Sequence, residues 1–258
     1  MKLQHPRAVI LGGTHYAEAV SLISSAAMLC YNIQEMKGET QEEIFANREN
    51  FIRRRMHAGH ESVIEHSVVT CLFEVDRGVT HEMVRHRLCS FTQSSTRYCD
   101  YSGEKYDGHI SCIIPPWVAC YEPGVYEAAT DEGLWIPYRL LHNGTEVDAF
   151  HKFAEDDKLY MLSLLRAEQD YKQLREHGWA PEMARGVLPH FTVANIMWSA
   201  NLREWRHILN LRAVGKTGRP HPQMEEVMIP LLHQFKQQYP VFFEDIEFNK
   251  ELDSRYTY

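Results

Sequence analysis

A mixed α/β (α+β) chain is what this sequence predicts, and three stretches predict it. Ala8-Val9-Ile10-Leu11-Gly12-Gly13 reads as a short buried strand ending in a turn, and the Ala-, Leu- and Ile-rich run 17–29 after it reads as a helix. Residues 67–75, rich in Val, Thr and Phe, alternate imperfectly in the manner of a strand. Asn201 and Glu204 stand at the N-cap and capping-box positions of a helix in which Leu202, Trp205, Leu209 and Arg212 recur at the helical period. At 258 residues the chain can bury a sizeable core. It has no long repeat, low-complexity tract or clear linker, so a single domain over 1–258 is expected.

Thr40-Gln41-Glu42-Glu43 is a capping box that should start a helix at Gln41, with Ile44, Phe45, Phe51, Ile52 and Met56 on its apolar face and Gly59 as its stop. Arg77-Gly78 is expected to turn the chain, and Thr80 to cap a short helix, 81–86, that carries Arg85, His86 and Arg87. Residues 94–98 read as extended. A strand is expected over 110–114, stopped by Pro115-Pro116, with turns at Pro123-Gly124 and Asn143-Gly144. A long helix is expected over 147–174, with Phe150 and Phe153 among its apolar residues. Another should start at Pro181, and a strand should cover 191–199. Met228 to Phe235 continues a last helix that Pro230 should kink, and the tail 241–248 reads as a capping strand or arm.

The formal net charge of −8 argues against non-specific nucleic-acid binding, which needs a basic footprint. The six cysteines form no C-x-x-C pair and no regular framework, so they read as reduced thiols of a cytoplasmic protein. No signal peptide is expected, because His5 and Pro6 come before any apolar run. No apolar run approaches the roughly 20 residues that span a bilayer. Gly12-Gly13 lacks the later glycines of a dinucleotide fingerprint.

The chemistry concentrates in Arg85-His86-Arg87-Leu88-Cys89-Ser90-Phe91-Thr92-Gln93-Ser94-Ser95-Thr96-Arg97-Tyr98. Three arginines offer fixed forks for phosphate or carboxylate, and the hydroxyls between them can line a polar ligand. A second cluster, His60-Glu61-Ser62-Val63-Ile64-Glu65-His66, invites a metal reading. Its histidines stand six apart, however, and the zinc-peptidase pattern needs two His four apart on one helical face. A charge at Arg212, on an apolar stripe, is costly unless it is paired or meets a ligand.

The pattern R-H-R, two residues, Ser, then S-x-R-Y resembles the signature of the flavin-dependent thymidylate synthases (ThyX). Thr92 stands where that family usually has Asn, and Gln93 where it often has Glu. His60, Ser62, Glu65 and His66 resemble the family's H-x-S/T-x-x-E-H motif. Ala184-Arg185 with Leu188-Pro189 resembles its A-R-x-x-L-P, 201–212 its N-x-R to L-R helix, and His221-Pro222-Gln223 the start of its last helix. The resemblance implies a central, mostly antiparallel sheet with flanking helices, and an insertion around 101–146. It also implies a homotetramer with active sites where subunits meet. The implied reaction is methylation of dUMP to dTMP. Methylenetetrahydrofolate is the carbon donor, reduced FAD the hydride donor, and NADPH the reductant of the flavin.

By the same resemblance Ser62, Arg85, His86, Arg87, Gln93, Asn201, Leu202, Arg203 and His207 should hold the flavin. Glu82, Met83, Val84, Arg85, Gln93, Ser94, Ser95, Thr96, Arg97, Arg185 and Arg212 should bind the nucleotide. Arg212 is the expected catalytic group, and no metal is expected. Ser95 is read as a binder rather than a nucleophile, since no activating base is evident in its motif. Two other readings stay open: a metal-dependent phosphohydrolase built on His60, Glu61, Glu65, His66 and His86, and a nucleotide-binding protein without turnover.

Overall fold

The protein is described from a computed structural model, which covers residues 1–129, 139–147 and 152–248. Strand β1 (Lys2–Gln4) precedes β2 (Arg7–Gly13), and helix α1 (Tyr16–Cys30) follows. Helix α2 spans Gln41–His57, where the capping box predicts it. Only half of that box forms as expected. Thr40 Oγ1 accepts from the Glu43 N–H at 3.2 Å, but the Glu43 carboxylate reaches past Thr40 to the Glu39 N–H at 2.8 Å. A 3-10 helix, Glu61–His66, leads into β3 (Val68–Asp76).

Helix α3 is Arg77–Met83, and here expectation and structure part. Asp76 Oδ1 accepts from the Val79 N–H at 2.8 Å, so the helix is capped one turn earlier than Thr80 would cap it. Thr80 lies inside the helix and donates to the Arg77 carbonyl at 2.9 Å. The helix ends at Met83, before Arg85, His86 and Arg87, which lie on the segment entering β4 (Ser90–Gln93). Residues 96–98 form a turn rather than an extended run, closed by the Tyr98 and Cys99 N–H groups on the Ser95 carbonyl.

Strands β5 (Ser111–Ile113), β6 (Gly124–Ala129), β7 (Arg139–His142) and β8 (Thr145–Glu146) follow. Asn143 and Gly144, with φ of 50° and 79°, turn β7 into β8 as the two-residue hairpin turn requires. Helix α4 begins at Glu155, not 147, and runs to Glu176. Val147 belongs to the hairpin, its N–H bonded to the Leu140 carbonyl at 2.8 Å, and three acidic residues at 155–157 suit the helix N-terminus. Phe150 lies outside the described residues.

Helix α5 (Pro181–Ala184) starts on its proline, and β9 covers Val193–Asn201. Helix α6 is Leu202–Arg212, and α7 (Pro222–Gln238) continues through Pro230. The tail expected to be a strand or arm forms a short helix instead, α8 (Pro240–Phe243). Pro240 opens it, and Val241, Phe242 and Phe243 are buried.

The chain forms two compact units. The first holds 1–7, 74–83 and 93–196, and the second 8–73, 84–92 and 197–258. In the first, the strands run β5-β1-β6-β7-β8, parallel between β1 and β5 and antiparallel elsewhere. Helix α4 packs Met161, Leu164 and Tyr171 into that unit's core. Arg175 and Asp100 pair at 2.8 Å, and the arginine's hydrogen bonds hold the Asp100 carboxyl down at about 2.

The other sheet has the order β2-β3-β9-β4. In the second unit its core is aromatic: Trp198 lies 5.2 Å from Trp205, and Trp205 5.2 Å from Phe235, between ring centres. Among the described residues, no helix is long and apolar enough to cross a membrane.

Of the glycine pair that ends β2, Gly13 is the one this sheet requires. A Cβ on Gly13 (φ 147°) would sit 2.3 Å from the Val68 carbonyl oxygen and 2.8 Å from Val69 Cα, whereas nothing lies within 4 Å of one on Gly12. Gly13→Ala should lower stability by about 2–4 kcal/mol, because backbone must move. Gly12→Ala should stay within about 1 kcal/mol of the parent. Urea unfolding of both variants checks this, and equal losses would contradict it.

Candidate functional site

The expected site residues divide between the two units. In the first unit, the segment after β4 is tied to β9. The Ser94 N–H donates to the Asn195 carbonyl at 2.9 Å, and the Asn195 N–H donates to Ser94 Oγ at 3.1 Å. Ser95 Oγ accepts from the Arg97 N–H at 3.2 Å. Thr96 is buried, and the exposed Arg185 reaches its Oγ1 at 3.3 Å, so Thr96 and Arg185 are brought together. Arg97 is exposed, lies over the Tyr98 ring and pairs with Glu182 at 3.3 Å. Gln93 donates to Thr80 Oγ1 at 3.1 Å. Glu82 is half-buried; Met83 is buried, so it can offer a ligand little but backbone. This arrangement presents two guanidinium forks and a row of hydroxyls, a donor set suited to a phosphomonoester.

In the second unit the centre is His86. Its ring is 7% exposed and packs 5.3 Å from Trp198. Arg212, half-buried at the end of α6, donates from Nε to His86 Nε2 at 3.3 Å. On the other side, Glu204 Oε1 lies 3.7 Å from His86 Nδ1. Burial first, then the Arg212 charge and His207, push the His86 imidazole down to about 4, so it is neutral at pH 7. Burial raises the Glu204 carboxyl.

Around this centre Val84, Arg85, Arg87, Ser62, Arg203 and His207 are exposed. Asn201 uses its side chain to cap α6, accepting from the Glu204 N–H at 2.8 Å, and Leu202 is buried. Arg203 bonds Glu65, and Arg206 bonds Glu61 at 3.3 Å. The carboxylates that the metal reading of 60–66 would use are therefore committed to arginines. His86, Glu204 and His207 do present ligand atoms within 4.8 Å of one another, but the Arg212 guanidinium on His86 works against a cation there.

Two residues of this centre escaped the sequence reading. Glu204 was visible only as a capping-box residue, and that role concealed where its carboxylate turns. Arg206, 7% exposed, shares a helical stripe with Leu202 and Leu209, a spacing that could have found it. It forms a bidentate pair with Asp245 at 2.6 and 2.7 Å and also donates to the Phe242 carbonyl.

Comparison with known proteins bears on this geometry. The family described as thymidylate synthase complementing protein matches residues 14–241. The chain is 28% identical over 246 residues to a flavin-dependent thymidylate synthase of Corynebacterium efficiens, covering 94% of this chain and 85% of that one. It is 26% identical over 232 residues to the one of Corynebacterium aurimucosum, covering 89% and 80%. Among solved structures, the UMP/dUMP methylase PolB from Streptomyces cacaoi bound with 5-Br dUMP superposes with a TM-score of 0.67 at 19% identity, over 95% and 96% of the two chains. Thymidylate synthase X from Helicobacter pylori, with FAD and dUMP, gives 0.61 at 18% identity, over 93% and 98%.

The buried imidazole should be visible in the pH dependence of folding. An unfolded His86 takes its proton near pH 6.5, and the folded one only near 4. Below 6.5 the unfolded state binds the proton that the folded state refuses, so stability falls as pH drops from 6.5 to 4 and levels off below that. The loss from this group is ~3 kcal/mol. Replacing it in His86→Gln should flatten that limb of the stability profile by most of this amount in urea unfolding at pH 7, 6, 5 and 4. An unchanged limb would contradict a neutral buried His86.

Proposed function

The chain belongs to the thymidylate synthase complementing protein family, and on that premise we propose that it is a flavin-dependent thymidylate synthase, converting dUMP to dTMP. The observation that carries the reading is the polar centre of the second unit: a half-buried arginine held on a neutral imidazole, with exposed arginines around it.

FAD fits the groups present. Its pyrophosphate needs cationic forks, and Arg85, Arg87 and Arg203 are exposed arginines, with the Ser62 hydroxyl and the His207 imidazole also exposed. These residues, with His86, Gln93, Asn201 and Leu202, are the proposed flavin set. When bound, FAD supplies the hydride chemistry, with NADPH as its reductant and methylenetetrahydrofolate as the one-carbon donor.

The nucleotide set is Glu82, Met83, Val84, Arg85, Gln93, Ser94, Ser95, Thr96, Arg97, Arg185 and Arg212. Arg97 and Arg185 are proposed to take the dUMP phosphate, with Ser95 and Thr96 as hydroxyl donors beside them. Entry of a phosphate would release Arg97 from Glu182, an exposed pair that is weak by nature. Arg212 is the proposed catalytic group. A guanidinium against the uracil stabilises negative charge at N3 and O2, and so polarises the ring toward reaction at C5. Gln93 is held by its hydrogen bond to Thr80 Oγ1, a bond in which the amide donates and a carboxylate could not. The working form is proposed to be a cytoplasmic homotetramer with active sites shared between copies; family resemblance supports the assembly, and six unpaired cysteines suit a reducing compartment.

Tritium release from 5-tritiated dUMP, with FAD, NADPH and methylenetetrahydrofolate, tests the whole reading. Release should require the folate and should stop when NADPH is left out. No release from protein that binds both FAD and dUMP would favour a non-catalytic nucleotide-binding protein. In the same assay Arg212→Ala should reduce turnover by about a hundredfold or more while FAD stays bound; near-normal turnover would remove Arg212 from the mechanism. Ser95→Ala should raise the KM for dUMP by about tenfold and leave turnover measurable. Abolished chemistry at unchanged dUMP affinity would instead make Ser95 a nucleophile.

A further inference from the structure

Helix α6 carries Glu204 and Arg212 two turns apart, about 12 Å along its axis, so the two side chains have no short direct contact to make. His86, which comes from the segment before β4, stands between them. Arg212 Nε donates to its Nε2 at 3.3 Å, and Glu204 Oε1 lies 3.7 Å from its Nδ1. A neutral imidazole that accepts at Nε2 must carry its proton on Nδ1. Nδ1 is the nitrogen that faces the carboxylate, and a small rotation of either side chain closes that gap to a hydrogen bond.

The local sequence does not explain why Glu204 turns this way. It occupies the capping-box position, and its backbone N–H is taken by Asn201 Oδ1 at 2.8 Å, as in an ordinary cap. Its carboxylate, however, is turned inward to the imidazole, and its side chain is 12% exposed. An acidic side chain withdrawn from water in this way needs a partner, and His86 is the partner in place.

We propose that Glu204 is a positioning residue: by accepting from Nδ1–H it fixes the His86 tautomer, and His86 then holds the Arg212 guanidinium in its working orientation. Without that acceptor, the imidazole can place its proton on Nε2, where it meets the Arg212 N–H donor-to-donor and drives the guanidinium away. The burial that keeps His86 neutral serves the same end, since a doubly protonated ring would offer Arg212 no acceptor. The proposal rests on Arg212 acting on dUMP, as argued above.

The test uses full-length Glu204→Ala and Glu204→Gln proteins. Glutamine keeps a carbonyl that accepts from Nδ1–H, and alanine does not. Glu204→Ala should lose about tenfold in kcat, with FAD content within about twofold of wild type. Glu204→Gln should recover most of the lost turnover. A second readout needs neither flavin nor turnover. In 15N-histidine-labelled protein, the side-chain resonance that disappears in His86→Asn should report Nδ1–H in wild type and in Glu204→Gln. In Glu204→Ala it should move toward Nε2–H.

Unchanged kcat in Glu204→Ala, a Glu204→Gln as slow as the alanine variant, or an unmoved tautomer would each overturn the proposal. So would a loss of turnover matched by loss of FAD. A wild-type protein that releases no tritium from dUMP would bring down the thymidylate reading and this role together, whereas an active wild type with an indifferent Glu204→Ala would bring down this role alone.

Discussion

Helix α6 is held by one buried arginine, and the centre of the second unit depends on it. Arg206 forks onto Asp245, reaches the Phe242 carbonyl and touches Glu61. Burial alone would raise the Asp245 carboxyl, yet the arginine's hydrogen bonds and charge outweigh it and hold the group below its usual range. A charge taken out of water in this way is tolerated only when its donors are satisfied, and removing a partner costs several kcal/mol. The neighbouring Trp205 adds a bond from its indole N–H to the Val69 carbonyl at 2.9 Å, and Asn201 caps the helix start. With that face fixed in rotation and register, the remaining faces of α6 carry Arg203, Glu204, His207 and Arg212 at set heights.

The polar groups of the second unit then sort by how dry they are. Arg203 and its partner Glu65 are about half exposed, where an ion pair contributes little and exchanges readily for a ligand. His86 is enclosed by Trp198, Arg212 and Glu204, where a hydrogen bond is directional and a wrong protonation state is costly. One helix thus carries an exposed arginine, Arg203, and an end enclosed against His86. In the first unit the contrast is between Thr96, buried, and Arg97 and Arg185, exposed around it.

Capping residues show the same principle at smaller scale. Thr40, Asn201 and Asp76 each accept from a backbone N–H three residues on. In two of these caps the acidic residue at the reciprocal position looks elsewhere: Glu43 to an upstream N–H, Glu204 to His86. A cap needs only one of its two hydrogen bonds to start a helix, so the second side chain is free to be used by the tertiary structure.

Local composition, periodicity and capping in the sequence by themselves determined where α1, α2 and α6 lie, that β3 and β9 are strands, and that Asn143-Gly144 is a turn, because each is a local matter of spacing, caps and allowed φ. The ordered motifs around Arg85 and Arg212 carried the resemblance to the family as well. Only the tertiary structure decided that Asp76 starts α3, that His86 lies beyond the end of that helix, that Val147 stays with its hairpin, and that the tail from Pro240 turns helical to bury two phenylalanines. It alone decided that Asp245, Phe242 and Glu61 meet the Arg206 guanidinium and that Glu204 faces an imidazole 118 positions earlier in the chain. Those outcomes turn on which groups lose water together, and burial is a property of packing between distant segments that no local pattern encodes.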